Sequence, residues 1–176
     1  PIDLHLQLSD SNEGHLWEQI AAQTTPTRIK ALTCTMRVSP FLQMAIFPEL
    51  RHLALKRSQS WYRTQFTEEG IKAFFEALSI GGTNLHHLDL TSNDIGDTGM
   101  KVFAQALVKG GSGLDKLRNL LLGRNNISDE GMEAFAEALV KGALNKLTHL
   151  NLYLHYNNIG DEGMKAFAEA LSKGAL

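Results

Sequence analysis

One helical segment occurs four times in the chain, at intervals of about 30 residues. The segment 129–144 (DEGMEAFAEALVKGAL) returns at 161–176 (DEGMKAFAEALSKGAL) and differs there only at Lys165 and Ser172. Looser copies begin at Glu68 and Asp97. A fixed period of this length is typical of stacked structural units and not of a single globule. Because a stack presents a long surface, we expect the chain to function by binding a partner and not by catalysis.

A short leucine-rich segment precedes each of the helical segments. Leucines two positions apart point to the same side of a β-strand, and the residue between them points to the other side. This spacing predicts strands at Ile29–Cys34, Leu50–Leu55, Leu85–Leu90, Leu117–Leu122 and Leu147–Leu152. Alternating leucines at Leu4, Leu6 and Leu8, followed by a helix over Glu13–Gln23, are expected to form an N-terminal cap.

An asparagine follows three of these strands, at Asn93, Asn125 and Asn157. Its amide both donates and accepts hydrogen bonds, so we assign it the structural role of satisfying backbone groups inside a buried turn. The helices then carry apolar residues at positions i, i+3, i+4 and i+7, which predicts one buried stripe per helix. The stripes comprise Met100, Phe103, Ala104 and Leu107; Met132, Phe135, Ala136 and Leu139; and Met164, Phe167, Ala168 and Leu171.

The pattern LxxLxLxxNxI followed by an amphipathic helix resembles the leucine-rich repeat family. The helix motif GMxxFAxAL, at this period, is similar to the ribonuclease-inhibitor-like class of that family. The resemblance implies an α/β solenoid in the form of a horseshoe arc, with parallel strands on the concave face and helices on the convex face. It also implies a scaffold for protein–protein interaction. The alternative that it implies is a regulatory module, such as a GTPase-activating or receptor-sensor domain of a larger protein.

The resemblance implies that the units form one solenoid domain. The predicted boundaries are 1–27 for an N-terminal cap or degenerate repeat, 28–49 for a degenerate short repeat, 50–84 for a repeat with an insertion, and 85–116, 117–146 and 147–176 for regular repeats. Leu176 would leave an uncovered apolar edge, so we expect the array to be truncated there or covered by a partner.

Composition narrows the possible functions. The net charge of −2 disfavours nucleic acid as a partner, since such binders usually carry a basic excess. No apolar run has the length of a membrane span. Cys34 is the only cysteine, which fits a reducing, intracellular and cytoplasmic location. No nucleophile elbow, phosphate-binding loop or HExxH motif occurs, so we expect neither enzyme activity nor a cofactor.

Partner-binding residues are expected at the strand positions flanking the middle leucine, among the basic residues near them, and in irregular loops. Aromatic residues beside arginine, as in the insertion around Trp61, are typical of binding hot spots. A basic strip on this surface predicts a partner with an acidic surface. The predicted contact residues are Arg51, His52, Lys56, Arg57, Trp61, Tyr62, His87, Asp89, Arg118, Asn119, Arg124, His149, Asn151 and Tyr153. The alternative for His52, His87 and Asp89 is a transition-metal site, since two histidines and a carboxylate are suitable ligands.

Overall fold

The computed structural model describes residues 7–8, 31–34, 50–55, 68–80, 84–109, 114, 116–145 and 154–175. These residues form, in chain order, β1 (Gln7–Leu8), β2 (Ala31–Cys34), β3 (His52–Leu55), α1 (Glu68–Ile80), β4 (His87–Asp89), α2 (Gly96–Lys109), β5 (Asn119–Leu121), α3 (Asp129–Val140) and α4 (Asp161–Ser172). The predicted α/β alternation is confirmed over these ranges. The predicted helix Glu13–Gln23 and strand Leu147–Leu152 lie outside the described residues.

The five described strands form one parallel sheet in the order β1-β2-β3-β4-β5, so neighbours in the chain are also neighbours in space. The middle leucines pair across the sheet, Leu53 with Leu88 and Leu88 with Leu120. All three side chains are fully buried. This register follows from the leucine pattern, because a shift of one residue would turn every apolar side chain to the solvent.

The four helices pack against one another in chain order, α1 on α2, α2 on α3 and α3 on α4. One phenylalanine per helix forms a continuous row through this packing. The ring centroids of Phe75 and Phe103 lie 4.7 Å apart, those of Phe103 and Phe135 lie 6.3 Å apart, and those of Phe135 and Phe167 lie 6.5 Å apart. The buried strand leucines join the same core. Each unit of strand, turn and helix therefore buries its apolar side against its neighbours and not within itself.

The turn asparagines connect consecutive units. The side chain of Asn125 is fully buried. Its Oδ1 accepts a hydrogen bond from the backbone N–H of Asn93 at 2.9 Å, and its Nδ2 donates to the carbonyl oxygen of Leu90 at 2.8 Å. One unit further on, Oδ1 of Asn157 accepts from the backbone N–H of Asn125, also at 2.9 Å. Each of these amides thus supplies partners to backbone groups of the preceding unit, which would otherwise be buried without hydrogen bonds.

Carboxylates at the start of α2 and of α3 each cap the helix of the next unit. Oδ1 of Asp97, in α2, accepts from the backbone N–H of Ser128 at 2.8 Å and from that of Gly131 at 3.0 Å. Asp129, in α3, repeats the contact with the N–H of Gly163 at 3.0 Å. The sequence indicated only that acids at these positions suit the helix dipole. The structure shows in addition that they satisfy N–H groups of the following helix, which have no partner within that helix.

This inter-unit cap explains a glycine that recurs in the repeat. A Cβ atom added at Gly131 would lie 2.5 Å from Oδ1 of Asp97 and 3.2 Å from its Cα. The same atom at Gly163 would lie 2.6 Å from Oδ1 of Asp129. The glycine is therefore required by the close approach of the preceding unit and not by backbone conformation, because no positive φ is recorded at either position.

The predicted buried stripe is wrong for the last helix. In α3, Met132 and Leu139 are 1% and 0% exposed, but the equivalent Met164 and Leu171 in α4 are 43% and 42% exposed. Ala168 is exposed as well. The two helices have nearly the same sequence, so the difference arises from the neighbours. α4 covers this side of α3, whereas no described element covers the same side of α4.

Candidate partner-binding surface

The strand residues on either side of the middle leucine form what we call the outward sheet face. It comprises His52, Ala54, His87, Asp89, Asn119 and Leu121, all at least partly exposed and all outside the hydrophobic core. In the register of the sheet, His52 pairs with His87 and His87 with Asn119. The second row pairs Ala54 with Asp89 and Asp89 with Leu121. The positions that we predicted to lie side by side across these strands are therefore brought together.

His52 and His87 lie close enough to act on one ligand. Their ring centroids are 5.7 Å apart, with the ring planes inclined at 31°. Asp89 is on the same face of β4 but uses Oδ1 to accept from the backbone N–H of Thr91 at 2.9 Å, which closes the turn after the strand. Within the described residues, no group of three or more histidine, cysteine, aspartate or glutamate side chains could hold a metal ion.

The exposed arginines lie at opposite ends of the strands. The backbone carbonyl of Arg51 accepts from the N–H of His87 at 2.9 Å, and the carbonyl of His86 accepts from the N–H of Arg118 at 2.9 Å. Arg51, His86 and Arg118 therefore form a row before the strands begin. Arg124 follows β5, in the loop that leads to α3. The predicted basic strip is thus divided between the two edges of the sheet.

A second cluster lies in the loops that follow the strands. The guanidinium carbon Cζ of Arg124 lies 4.4 Å from the ring centroid of Tyr156. Tyr156 is 71% exposed, and His155 contacts its ring edge-on with centroids 5.3 Å apart. Neither Tyr156 nor His155 was among the predicted contact residues. The spacing of 32 residues between Arg124 and Tyr156, the same as between Asn125 and Asn157, is the sequence signal that could have paired them.

The remaining predicted contact residues lie outside the described part of the chain. They are Lys56, Arg57, Trp61, Tyr62, His149, Asn151 and Tyr153. Their roles stay predictions.

Two similar grooves lie along the described helices, one between α2 and α3 and the other between α3 and α4. Both are lined mainly by lysines, glutamates and alanines, with one valine each. A salt bridge of 2.5 Å between Lys101 and Glu130 crosses the first groove. Because the grooves recur with the repeat, they follow from helix spacing and do not indicate a specific site.

None of the helices in the described ranges combines the length and the apolar character that crossing a bilayer would require.

Comparison with known proteins supports the repeat interpretation. A family model described as Leucine Rich repeat matches three segments, residues 83–104, 115–136 and 143–168. The first two matches each span a described strand, its turn asparagine and the start of the following helix, and the third includes Asn157 and the start of α4. A search of curated proteins found no match to the chain. The matches support a leucine-rich repeat family, whose members are commonly protein–protein interaction modules and generally non-enzymatic scaffolds.

Proposed function

We propose that the protein is a scaffold for protein–protein interaction, which binds a partner through the outward sheet face and the loops that follow the strands. The observation that carries this proposal is that buried and accessible residues alternate along β3, β4 and β5. The middle leucines are fully buried, while the residues beside them are accessible, in register and outside the core. Side chains that do not hold the fold together can vary to suit a partner.

The chemistry of the outward sheet face supports a protein partner. This face places the imidazole of His87 beside the amide of Asn119, and the carboxylate of Asp89 beside the apolar side chain of Leu121. A mixed polar and apolar surface is typical of non-obligate protein interfaces. Exposed arginines at both edges, Arg51 and Arg118 at one and Arg124 at the other, favour a partner with an acidic surface.

Finer features belong to the same proposal. We propose that the units form a ribonuclease-inhibitor-like arc with the outward sheet face on its concave side. Strands lie on one side of the stack and the thicker helices on the other, so the stack bends toward the strand side. Small-angle X-ray scattering would test the arc, and a profile that fits a straight rod would contradict it. We also propose an intracellular, cytoplasmic location, supported by the single cysteine and tested by imaging of the tagged protein.

The experiment that tests the scaffold uses the chain as bait for proteins from its native lysate. His87→Glu and Asn119→Glu each place a new carboxylate on the outward sheet face. Glu133→Arg, on the exposed side of α3, is the matched control on the other side of the molecule. We expect at least one captured protein to be lost about tenfold with either sheet variant and retained with the control. The same capture by all four baits would contradict the proposal, provided that circular dichroism shows each variant folded.

A further inference from the structure

The inference concerns Arg124, Tyr156 and Ser92, which occupy the same place in three consecutive units. Each directly precedes a turn asparagine, and each has a left-handed backbone, with φ of 56°, 58° and 63° respectively. The backbone N–H of Ser92 donates to the carbonyl of Gly123 at 2.9 Å, and that of Arg124 donates to the carbonyl of His155 at 3.1 Å. At Ser92 and Arg124, these backbone hydrogen bonds hold the conformation, and they do not depend on the side chain.

A left-handed backbone favours glycine or asparagine and disfavours long side chains. Folding alone would therefore select a small residue at these positions. Arg124 and Tyr156 are instead long, exposed and outside the hydrophobic core. A long side chain that occupies such a position despite the local conformational cost, outside the core, points to a use at the surface.

The geometry of the pair indicates what that use is. The guanidinium of Arg124 lies over the ring of Tyr156 at 4.4 Å, which holds the side chain in place through a cation–π contact. Among the described residues, no carboxylate forms a salt bridge with Arg124. A guanidinium held by its face keeps the N–H donors of its edge available, and their planar fork matches a carboxylate with two parallel hydrogen bonds.

We propose that Arg124 and Tyr156 form a binding site for a carboxylate on an acidic segment of a partner protein. The proposal rests on the proposed function, since it takes the partner to be a protein, and it names the group that the loop edge recognises. A carboxylate fits better than a phosphate. Phosphate recognition in proteins usually requires a cluster of arginines, and Arg124 is the only arginine or lysine in the described loops between β4 and α2, between β5 and α3, and at 154–160. The exposed ring of Tyr156 beside the charge offers an apolar surface for the stem of an aspartate or glutamate.

The test is an NMR titration that needs no knowledge of the partner. N-acetyl-glutamate is added to the ¹⁵N-labelled chain at low ionic strength, and the Nε–Hε signals of Arg124 and Arg118 are followed. Arg118 is the internal control, because it is also exposed but lies at the other edge of the sheet. We expect a saturable shift at Arg124, a weaker linear change at Arg118, and no change with N-acetyl-glutamine amide, which is neutral because it has no carboxylate.

Variants make the test specific. In the variants, binding is followed through the backbone N–H signal of the adjacent Asn125. We expect Arg124→Gln to weaken the binding of N-acetyl-glutamate at least about fivefold, and Arg124→Lys to weaken it as well, since lysine keeps the charge but loses the fork. Tyr156→Leu should weaken it about twofold to threefold by releasing the guanidinium. Arg124→Asn should bind no carboxylate and yet melt at the same temperature or higher, because asparagine tolerates the left-handed backbone.

Three results would overturn the proposal: equal shifts at Arg118 and Arg124, no saturation at Arg124, or saturation by N-acetyl-phosphoserine alone. Failure here is distinguishable from failure of the scaffold. A partner captured through His87 and Asn119 but indifferent to Arg124→Gln would remove this site and leave the scaffold intact. If instead Arg124 binds N-acetyl-glutamate saturably but capture does not depend on the outward sheet face, the scaffold proposal would fail and the carboxylate site would stand.

Discussion

Replacing Asn125 by alanine should destabilise the fold more than any other single change in the turns that the structure describes. The amide accepts from the N–H groups of Asn93 at 2.9 Å and Ile95 at 3.4 Å, and it donates to the carbonyl oxygens of Leu90 at 2.8 Å, Leu122 at 3.0 Å and Gly123 at 3.2 Å. The side chain is 0% exposed, so water cannot replace it without opening the turn.

The expected size follows from the groups that lose their shortest bonds. The N–H of Asn93 and the carbonyl of Leu90 have the closest contacts to the amide, and each buried group left without a partner costs about 1–3 kcal/mol. Asn125→Ala should therefore lower the free energy of unfolding by about 2–6 kcal/mol, a large part of the ~5–15 kcal/mol that a typical domain has.

Two further variants separate this mechanism from general disruption. Asn157→Ala removes the same side chain one unit later, where it is only partly buried, so we expect about 1–2 kcal/mol. Asn125→Asp keeps the shape but replaces the donor with a carboxylate. Burial should raise the pKa of that carboxyl above its unfolded value, so the native state binds the proton more tightly. The variant should then be closest to the parent at low pH and lose stability as the pH rises through the folded pKa.

The assay is urea unfolding followed by circular dichroism, with the midpoint compared at constant slope. A loss below about 1 kcal/mol for Asn125→Ala, or a loss no larger than that of Asn157→Ala, would show that the buried amide does not carry the inter-unit connection. A pH-independent effect of Asn125→Asp would refute the assigned role of its donor group.

Three other predictions concern packing and charge. Met132→Ala should cost about 2–4 kcal/mol in urea unfolding and Met164→Ala at most about half of that, because the two residues are 1% and 43% exposed; equal losses would show that burial does not set the cost. Gly131→Ala should destabilise by about 1–3 kcal/mol although alanine favours helices, since the new Cβ would lie 2.5 Å from a carboxylate oxygen; a higher melting temperature would show that the preceding unit moves aside. The hydrogen bond with Glu130 raises the pKa of Lys101 above its ordinary value of 10.5, so this contact should contribute stability below pH 10.5 and lose it as the pH rises through the folded pKa. The melting temperatures of the parent and Glu130→Gln should therefore converge once the pH exceeds the folded pKa of Lys101, and a constant difference would argue against the ion pair.

The strands and helices were predictable because their signals are local and repeated. Leucine spacing identified β3, β4 and β5, and the stripe around Phe135 identified α3 together with the side that it buries. The exposure of α4 could not be predicted from its sequence, because the stripe around Met164 matches the buried stripe of α3. Whether such a stripe is buried depends on a neighbouring element that covers it. Sequence pattern specifies which side of an element is apolar and leaves open what lies against that side.

The candidate surface was predictable in part. Strand periodicity and register place His52, His87 and Asn119 in one row. The contact between Arg124 and Tyr156 was missed because the extra residues before Asn157 obscured the equivalence of the two positions. The caps by Asp97 were missed because each forms between units, at a sequence separation of more than 30 residues, where helix-start rules consider only the same helix.

The inter-unit caps also bear on how such a chain can change in length. Asp97 serves α3 and Asp129 serves α4 through equivalent atoms, so these two described junctions share the same cap. Excising or duplicating one whole period would again place a carboxylate beside a glycine N–H, so no polar group would lose its partner. A partial period would break both the cap and the hydrogen bonds of the turn asparagines. A change in length by whole units would therefore preserve the contacts of these junctions.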